Sequence, residues 1–277
     1  MTVNALSIDV EDYYQVENFK HLIPERDWVN YESRVEANTC TILQILDTFQ
    51  VRATFFILGW LAERYPDLVQ SIHKQGHEVA SHGYLHNLIY NCKPEHFQED
   101  INRSKKILED LTGDSVVGYR APSYSITRRS LWAIDILIKA GFKYDSSIFP
   151  TIHDRYGIPG AQRFPHKLWG SDGQCLDEFP PTTFKMFGIT VPVSGGAYFR
   201  FFPYLLTKWA FTWINRWEKK PIIFYLHPWE FDPGQPRIKT DMFRHMRHYF
   251  NIEKTETRFK KVLRDFKFDT VKSILQL

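Results

Sequence analysis

The sequence predicts an α/β protein built on a parallel sheet. Short apolar, β-branched runs alternate along the chain with segments whose apolar residues recur at helical spacing. Glycines at 76, 113 and 141 close three of the helical segments. The composition, 43% hydrophobic and 24% charged over 277 residues, supplies one large core, so a single domain over residues 1–277 is expected.

Residues 3–10 form the first strand, which ends at an acidic cluster of Asp9, Glu11 and Asp12. Val35, Ile42, Leu43, Ile45, Leu46 and Phe49 fall mostly at helical spacing, and residues 51–58 are a continuous apolar run, a buried strand. Pro66 suits the first position of a helix carrying Leu68, Val69 and Ile72, with a strand at 77–81. A helix over 94–111 and a strand over 116–119 follow. Thr127 is placed to cap a helix bearing Leu131, Ile134, Leu137 and Ile138, before a strand at 143–148. Residues 149–198 lapse into Pro, Gly and short apolar pieces, expected to be an irregular substrate-binding insertion. A helix over 204–217, a strand over 222–226 ending at His227, and a helix over 258–266 complete the chain.

A net charge of +3 is too small a bias to argue for nucleic acid or an anionic membrane. No stretch approaches the ~18 apolar residues of a membrane span, and no basic segment followed by an apolar one opens the chain. A cytoplasmic location is expected. Cys40, Cys92 and Cys175 show no metal spacing and no disulfide framework, which fits a reducing compartment.

Chemistry gathers at strand ends. In Ser81-His82-Gly83-Tyr84-Leu85-His86, two histidines four apart reach one cation if the backbone makes a helical turn. HxxxH is common by chance; its place after a strand, with carboxylates after another, strengthens the reading, because two histidines and a carboxylate with open positions form a catalytic metal set. Asp9 and Glu11 share a face if the first strand persists, whereas Asp12 turns inward if it ends early. Arg120 precedes Pro122 at another strand end, and His227 closes an apolar run. His73, His77, His96, His153, His166, His245 and His248 have no such context and are assigned no role.

Taken in order, residues 9–12, the Ser-His-x-x-x-His segment, Gly118-Tyr119-Arg120-Ala121-Pro122 and Leu226-His227 resemble the motifs of NodB-like polysaccharide deacetylases, over residues 3–228. Residues 145–150 and 225–230 look most like the branch associated with bacterial exopolysaccharide loci. The resemblance implies a distorted (β/α)7-type barrel and metal-dependent removal of N-acetyl groups from an amino-sugar polysaccharide or saccharide precursor, releasing acetate. It gives Asp9 the role of base and His82 and His86 the metal. Arg120 would hold Asp9 ionised, and His227 would protonate the departing amine. The sequence departs from the family where Val10 follows Asp9, since members typically carry two adjacent aspartates. The third ligand is then Glu11, favoured by strand alternation, or Asp12, by its shorter side chain. Zinc is the expected ion, with cobalt, nickel and manganese open.

Pro122, Ser123 and Tyr124 are the substrate-side candidates, with the Ser123 N–H as oxyanion donor by resemblance. Trp169 and Trp229 are further sugar-stacking candidates, and Asp145 is a candidate to orient His227. The expected partner is an N-acetylated carbohydrate. Rival readings are a deformylase or cyclic-amide hydrolase on the same fold, a non-catalytic saccharide-binding relative, and a structural metal site.

Overall fold

The computed structural model describes residues 2–153, 155–186 and 188–277. Strand β1, Val3–Val10, is buried along all but its first residue, as a strand covered on both faces must be. It is followed by α1 (Val35–Phe49), β2 (Thr54–Ile57), α2 (Gly59–Arg64), α3 (Pro66–Lys74), β3 (Glu78–Ser81), α4 (Pro94–Thr112), β4 (Gly118–Tyr119), α5 (Ala133–Lys139) and β5 (Tyr144–Asp145). Then come β6 (His166–Trp169), β7 (Cys175–Glu178), β8 (Thr183–Met186), β9 (Ile189–Pro192), α6 (Gly196–Phe201), α7 (Tyr204–Trp213) and β10 (Ile223–Leu226). Helix α8 (Met242–Tyr249), α9 (Thr255–Asp265), β11 (Lys267–Asp269) and α10 (Val271–Leu275) end the chain.

One sheet carries the order β10-β1-β2-β3-β4-β5-β7-β6, parallel throughout except for β6 at its edge, and β11 pairs with the start of β1. The register sets Asp9 beside Phe56 and Ser81 beside Tyr119, so the ends of β1 and β4 flank those of β2 and β3. The sheet curls into a half-barrel, the mixed α/β fold that the resemblance implies. Its flanks are bridged where Thr182 exchanges side-chain hydrogen bonds with the backbone of Ile223, at 2.8 and 2.9 Å. Gly195 completes this seam by bridging to Tyr225. Its φ is +146°, and a Cβ there would lie 1.8 Å from the Tyr225 carbonyl oxygen, so no other residue fits.

Two expectations change. The stretch 149–198 is not irregular throughout: it holds β6 to β9, with β7 a parallel member of the main sheet. These strands are four residues long and alternate or mix exposed and buried positions, so they lack the apolar run that marks a buried strand. Thr127 does not cap α5, which begins at Ala133; its N–H and hydroxyl instead join a turn with Ser130 and Arg129. Helix α2, only six residues long, was too short to show a period.

Candidate active site

Parallel strands place their C-terminal ends on one side of a sheet, where ligands bind in such folds. Asp9 follows this rule at the end of β1, Glu11 just after it, His82 after β3, Arg120 after β4 and His227 after β10. Asp9, Glu11 and His227, with His86 from the loop after β3, line an open cavity together with Ser123, Tyr124, Tyr225 and Trp229.

Glu11, His82 and His86 converge, each offering a ligand atom within 4.8 Å of the others. Glu11 Oε1 stands 3.8 Å from His82 Nε2, and Oε2 stands 3.5 Å from His86 Nε2. These gaps are long for hydrogen bonds and close to the roughly 3.4 Å between ligands set tetrahedrally about 2.1 Å from an ion. His82 Nε2 is buried and has no hydrogen-bond partner, whereas Nδ1 donates to the Arg120 carbonyl at 2.8 Å. That bond selects the tautomer whose Nε2 lone pair faces the cluster, the usual outer support of a metal-bound histidine. The donor set therefore fits a divalent cation. Burial alone would raise the Glu11 carboxyl, but His86, with His82 and His227, outweighs it and holds the group well below the usual range.

The histidine pair is not carried on a helical turn. Gly83 and His86 have φ of +76° and +54°, which folds the segment into a loop. Asp100 of α4 pins that loop by accepting from the N–H groups of Tyr84 at 2.8 Å and Leu85 at 3.3 Å. The other candidate ligand, Asp12, is turned away from the cluster. Its carboxylate accepts from Ser33 Oγ at 2.7 Å and from the N–H groups of Arg34 at 2.9 Å and Val35 at 3.2 Å, at the start of α1. The strand ends at Val10, and the next two side chains diverge.

Asp9 is locked by Arg120, whose Nη1 donates to Asp9 Oδ1 at 2.6 Å and to Ser7 Oγ at 2.8 Å. Ser146 fixes the other edge of the guanidinium through its hydroxyl at 2.8 Å and its carbonyl at 3.2 Å, and the Phe56 ring lies 4.2 Å beneath. Both partners of this pair are buried, so the geometry is fixed before any ligand arrives.

Opposite Asp9 stands His227. Glu230 Oε1 meets its Nδ1 at 2.8 Å and accepts from its backbone N–H at 3.1 Å, while Glu230 Oε2 takes Arg200 Nε at 2.7 Å. Nε2 is thereby aimed into the cavity, 3.5 Å from Glu11 Oε1 and 4.0 Å from Asp9 Oδ2. Trp229 stacks on the imidazole, and His248 stacks on Trp229. Burial would lower this histidine, but the bond to Glu230 and the charges of Glu11, Glu230 and Asp9 raise it to about 9, so it carries a proton at neutral pH.

Asp145 does not orient His227. It is buried against Ser147 and Glu178, and burial lifts Asp145 to about 6 and Glu178 well above the carboxylate range, leaving a proton between them. Glu230 holds the imidazole instead; the His-x-x-Glu spacing at 227–230 was the available sign, while Arg200 gave none. Ser123 and Tyr124 line the cavity in left-handed conformations, at φ of 51° and 54°, but Pro122 is buried and Ala121 lines the wall in its place. Trp169 projects from β6 with 69% exposure and takes no part in the cavity lining.

Residues 27–144 match the model of the polysaccharide deacetylase family, and residues 146–276 that of a domain of unknown function, DUF3473. A peptidoglycan-N-acetylglucosamine deacetylase of Bacillus cereus is 33% identical over 159 residues, covering 52% of this chain. The chain spans 57% of that relative's length, and less of several other curated relatives. A solved structure from Mycobacterium smegmatis, assigned to the polysaccharide deacetylases, superposes with a TM-score of 0.65 at 21% identity over 99% of this chain and 88% of that one. A PuuE allantoinase structure gives 0.63 at 16% over 99% and 89%. At these identities the two structures speak to the fold alone.

Proposed function

Since this chain carries a polysaccharide deacetylase domain of the NodB type, we propose that it is a metal-dependent hydrolase that removes N-acetyl groups from an amino-sugar saccharide. One observation supports this most: a buried Glu-His-His donor set sits between a fixed carboxylate and a fixed imidazolium, all at one cavity. Glu11, His82 and His86 would hold the cation, zinc being the ion such a set suits. When bound, it would polarise the acetamide carbonyl and acidify a water molecule.

The chain's own groups handle the protons. Asp9 Oδ2, left free while Oδ1 is bound to Arg120, accepts one from the attacking water. Water oxygen bonds to the carbonyl carbon, giving a tetrahedral oxyanion beside Ser123. His227 Nε2 then gives its proton to the sugar nitrogen, the C–N bond breaks, and acetate and a free amine leave. Two proton carriers of opposite charge state about 4.0 Å apart suit this transfer.

The test is acetate release from N-acetylglucosamine oligomers by the zinc-loaded protein. Release that is lost on chelation and in His82→Ala is expected. A fully loaded protein that releases none would overturn the proposal.

A further inference from the structure

An apolar band leads away from the mouth of the cavity, on helices that also line it. Helix α6 lines the cavity with Ala197 and Tyr198 and ends in exposed Phe201; α8 lines it with Arg247 and His248 and exposes Met242 (87%) and Phe243 (65%). Phe201 and Phe250 stack at 4.8 Å and join the two helices. Beyond them α7, with the π-helical turn Ile214–Glu218 that continues it, exposes Leu205 (76%), Trp209, Trp213 and Trp217 (72%). These recur every four residues, the helical spacing of one face, and the indoles touch in succession at 6.1 and 5.9 Å. Among the described residues Phe184 of β8 packs against the edges of Trp209 and Trp213, and both indoles keep more than 40% of their surface exposed. Exposed large apolar side chains clustered on neighbouring elements mark an interaction surface.

Charge and shape identify the occupant. Residues 204–220 carry Lys208, Arg216, Lys219 and Lys220 against one acid, Glu218, which Arg163 already binds; Lys208 itself meets Asp265. Residues 237–248 carry Arg237, Lys239, Arg244 and Arg247 against Asp241 alone. The whole-chain charge of +3 conceals this local excess. Neighbouring indoles are tilted by 47° and 40°, so they form no flat platform for a run of sugar rings. Tryptophans mixed with leucine and methionine inside a cationic rim are the composition of a helix lying in a lipid headgroup region. No described helix is long and apolar enough to cross a membrane, and this mode needs none. We propose that this face seats the protein on an anionic lipid bilayer, with the cavity opening beside the membrane surface.

Co-sedimentation with vesicles tests this, using phosphatidylcholine alone and an equimolar mixture with phosphatidylglycerol. Binding to the mixed vesicles, release by salt, and a blue shift of tryptophan emission on binding are expected. Leu205→Ser combined with Trp217→Ser should lower partitioning on the order of tenfold. Lys219→Glu with Lys220→Glu should lower it similarly. Thermal melting of each variant checks that the fold is kept, and Met242→Ser with Phe243→Ser supplies an independent pair. No vesicle binding, or equal binding by wild type and all three variants, would overturn the proposal. So would self-association abolished by the same variants, which would give the face to a second copy, or their loss of retention on immobilised glycan.

Discussion

Replacing Glu230 by Gln examines the support of the proton donor. The carboxylate bridges two cations, with Oε1 on His227 and Oε2 on Arg200, and neither it nor Arg200 is more than 1% exposed. Gln keeps the shape but turns an amide NH2 toward one cation, leaving Arg200 without its counter-charge and His227 with only Glu11 and Asp9. The lift of His227 from 6.5 to about 9 corresponds to about 3 kcal/mol favouring its protonated form. Breaking a buried ion pair from one side costs roughly 3–5 kcal/mol. The lower end applies, because Arg200 keeps bonds to the carbonyls of Arg247, His248 and Phe250. We therefore expect about 3 kcal/mol of lost stability and a fall in kcat on the order of 10²-fold or more. The alkaline limb of the pH–rate profile should move to lower pH, since the donor is lost once its pKa is passed. Acetate release from N-acetylglucosamine oligomers across pH, with bound zinc quantified and melting followed in parallel, reads all three. Wild-type kcat with an unmoved alkaline limb would refute the reasoning; reduced zinc occupancy in place of reduced kcat would show that Glu230 serves the cation site.

Glu11→Gln should weaken zinc binding, seen as loss of the metal-dependent rise in melting temperature, whereas Asp12→Asn should keep that rise while costing about 1–2 kcal/mol from the start of α1. Equal loss of zinc in both would overturn the choice of ligand. Burial, with Arg52 nearby, pushes His77 down to about 4, and its Nδ1 accepts the Ala53 N–H at 3.2 Å, as only the neutral ring can. The unfolded chain therefore takes up the proton first, so stability falls by about 3 kcal/mol as pH drops from about 6.5 to 4 and is level below. His77→Gln should lose this component, and parallel melting curves for both proteins across that window would count against it. Gly195→Ala forces a Cβ onto the Tyr225 carbonyl and should destabilise the seam by several kcal/mol; unchanged melting would show that the seam yields freely.

What could be read in the sequence followed from period and placement. Strand β1 and helices α1 and α4 announced themselves because buried parallel strands are continuously apolar and long amphipathic helices repeat every 3.6 residues. The strand-end positions of Asp9, His82, Arg120 and His227 were legible for the same reason. Strands β6 to β9 were not, since four-residue strands with mixed faces carry no period. Where β1 stops did not decide between Glu11 and Asp12: the strand ends at Val10, yet Glu11 still meets the histidines while Asp12 is drawn to the N–H groups at the start of α1, contacts that no sequence pattern fixes. Arg200 and Asp100 act from distant helices through single polar contacts, and such contacts leave no trace in a linear sequence.

Arg120 joins the two sides of the cavity in one residue, since its carbonyl fixes His82 and its guanidinium fixes Asp9. Proton acceptor and cation site are thus mounted on a common bracket ahead of residue 145, while the donor His227 and its clamp, Arg200 and Glu230, lie behind it. Cleaving the chain in the loop after β5 would give one piece able to take a proton and another able only to give one. Turnover would return only when the pieces dock again through the β1–β10, β1–β11 and β5–β7 pairings, which makes fragment complementation a measure of how firmly these seams are held together.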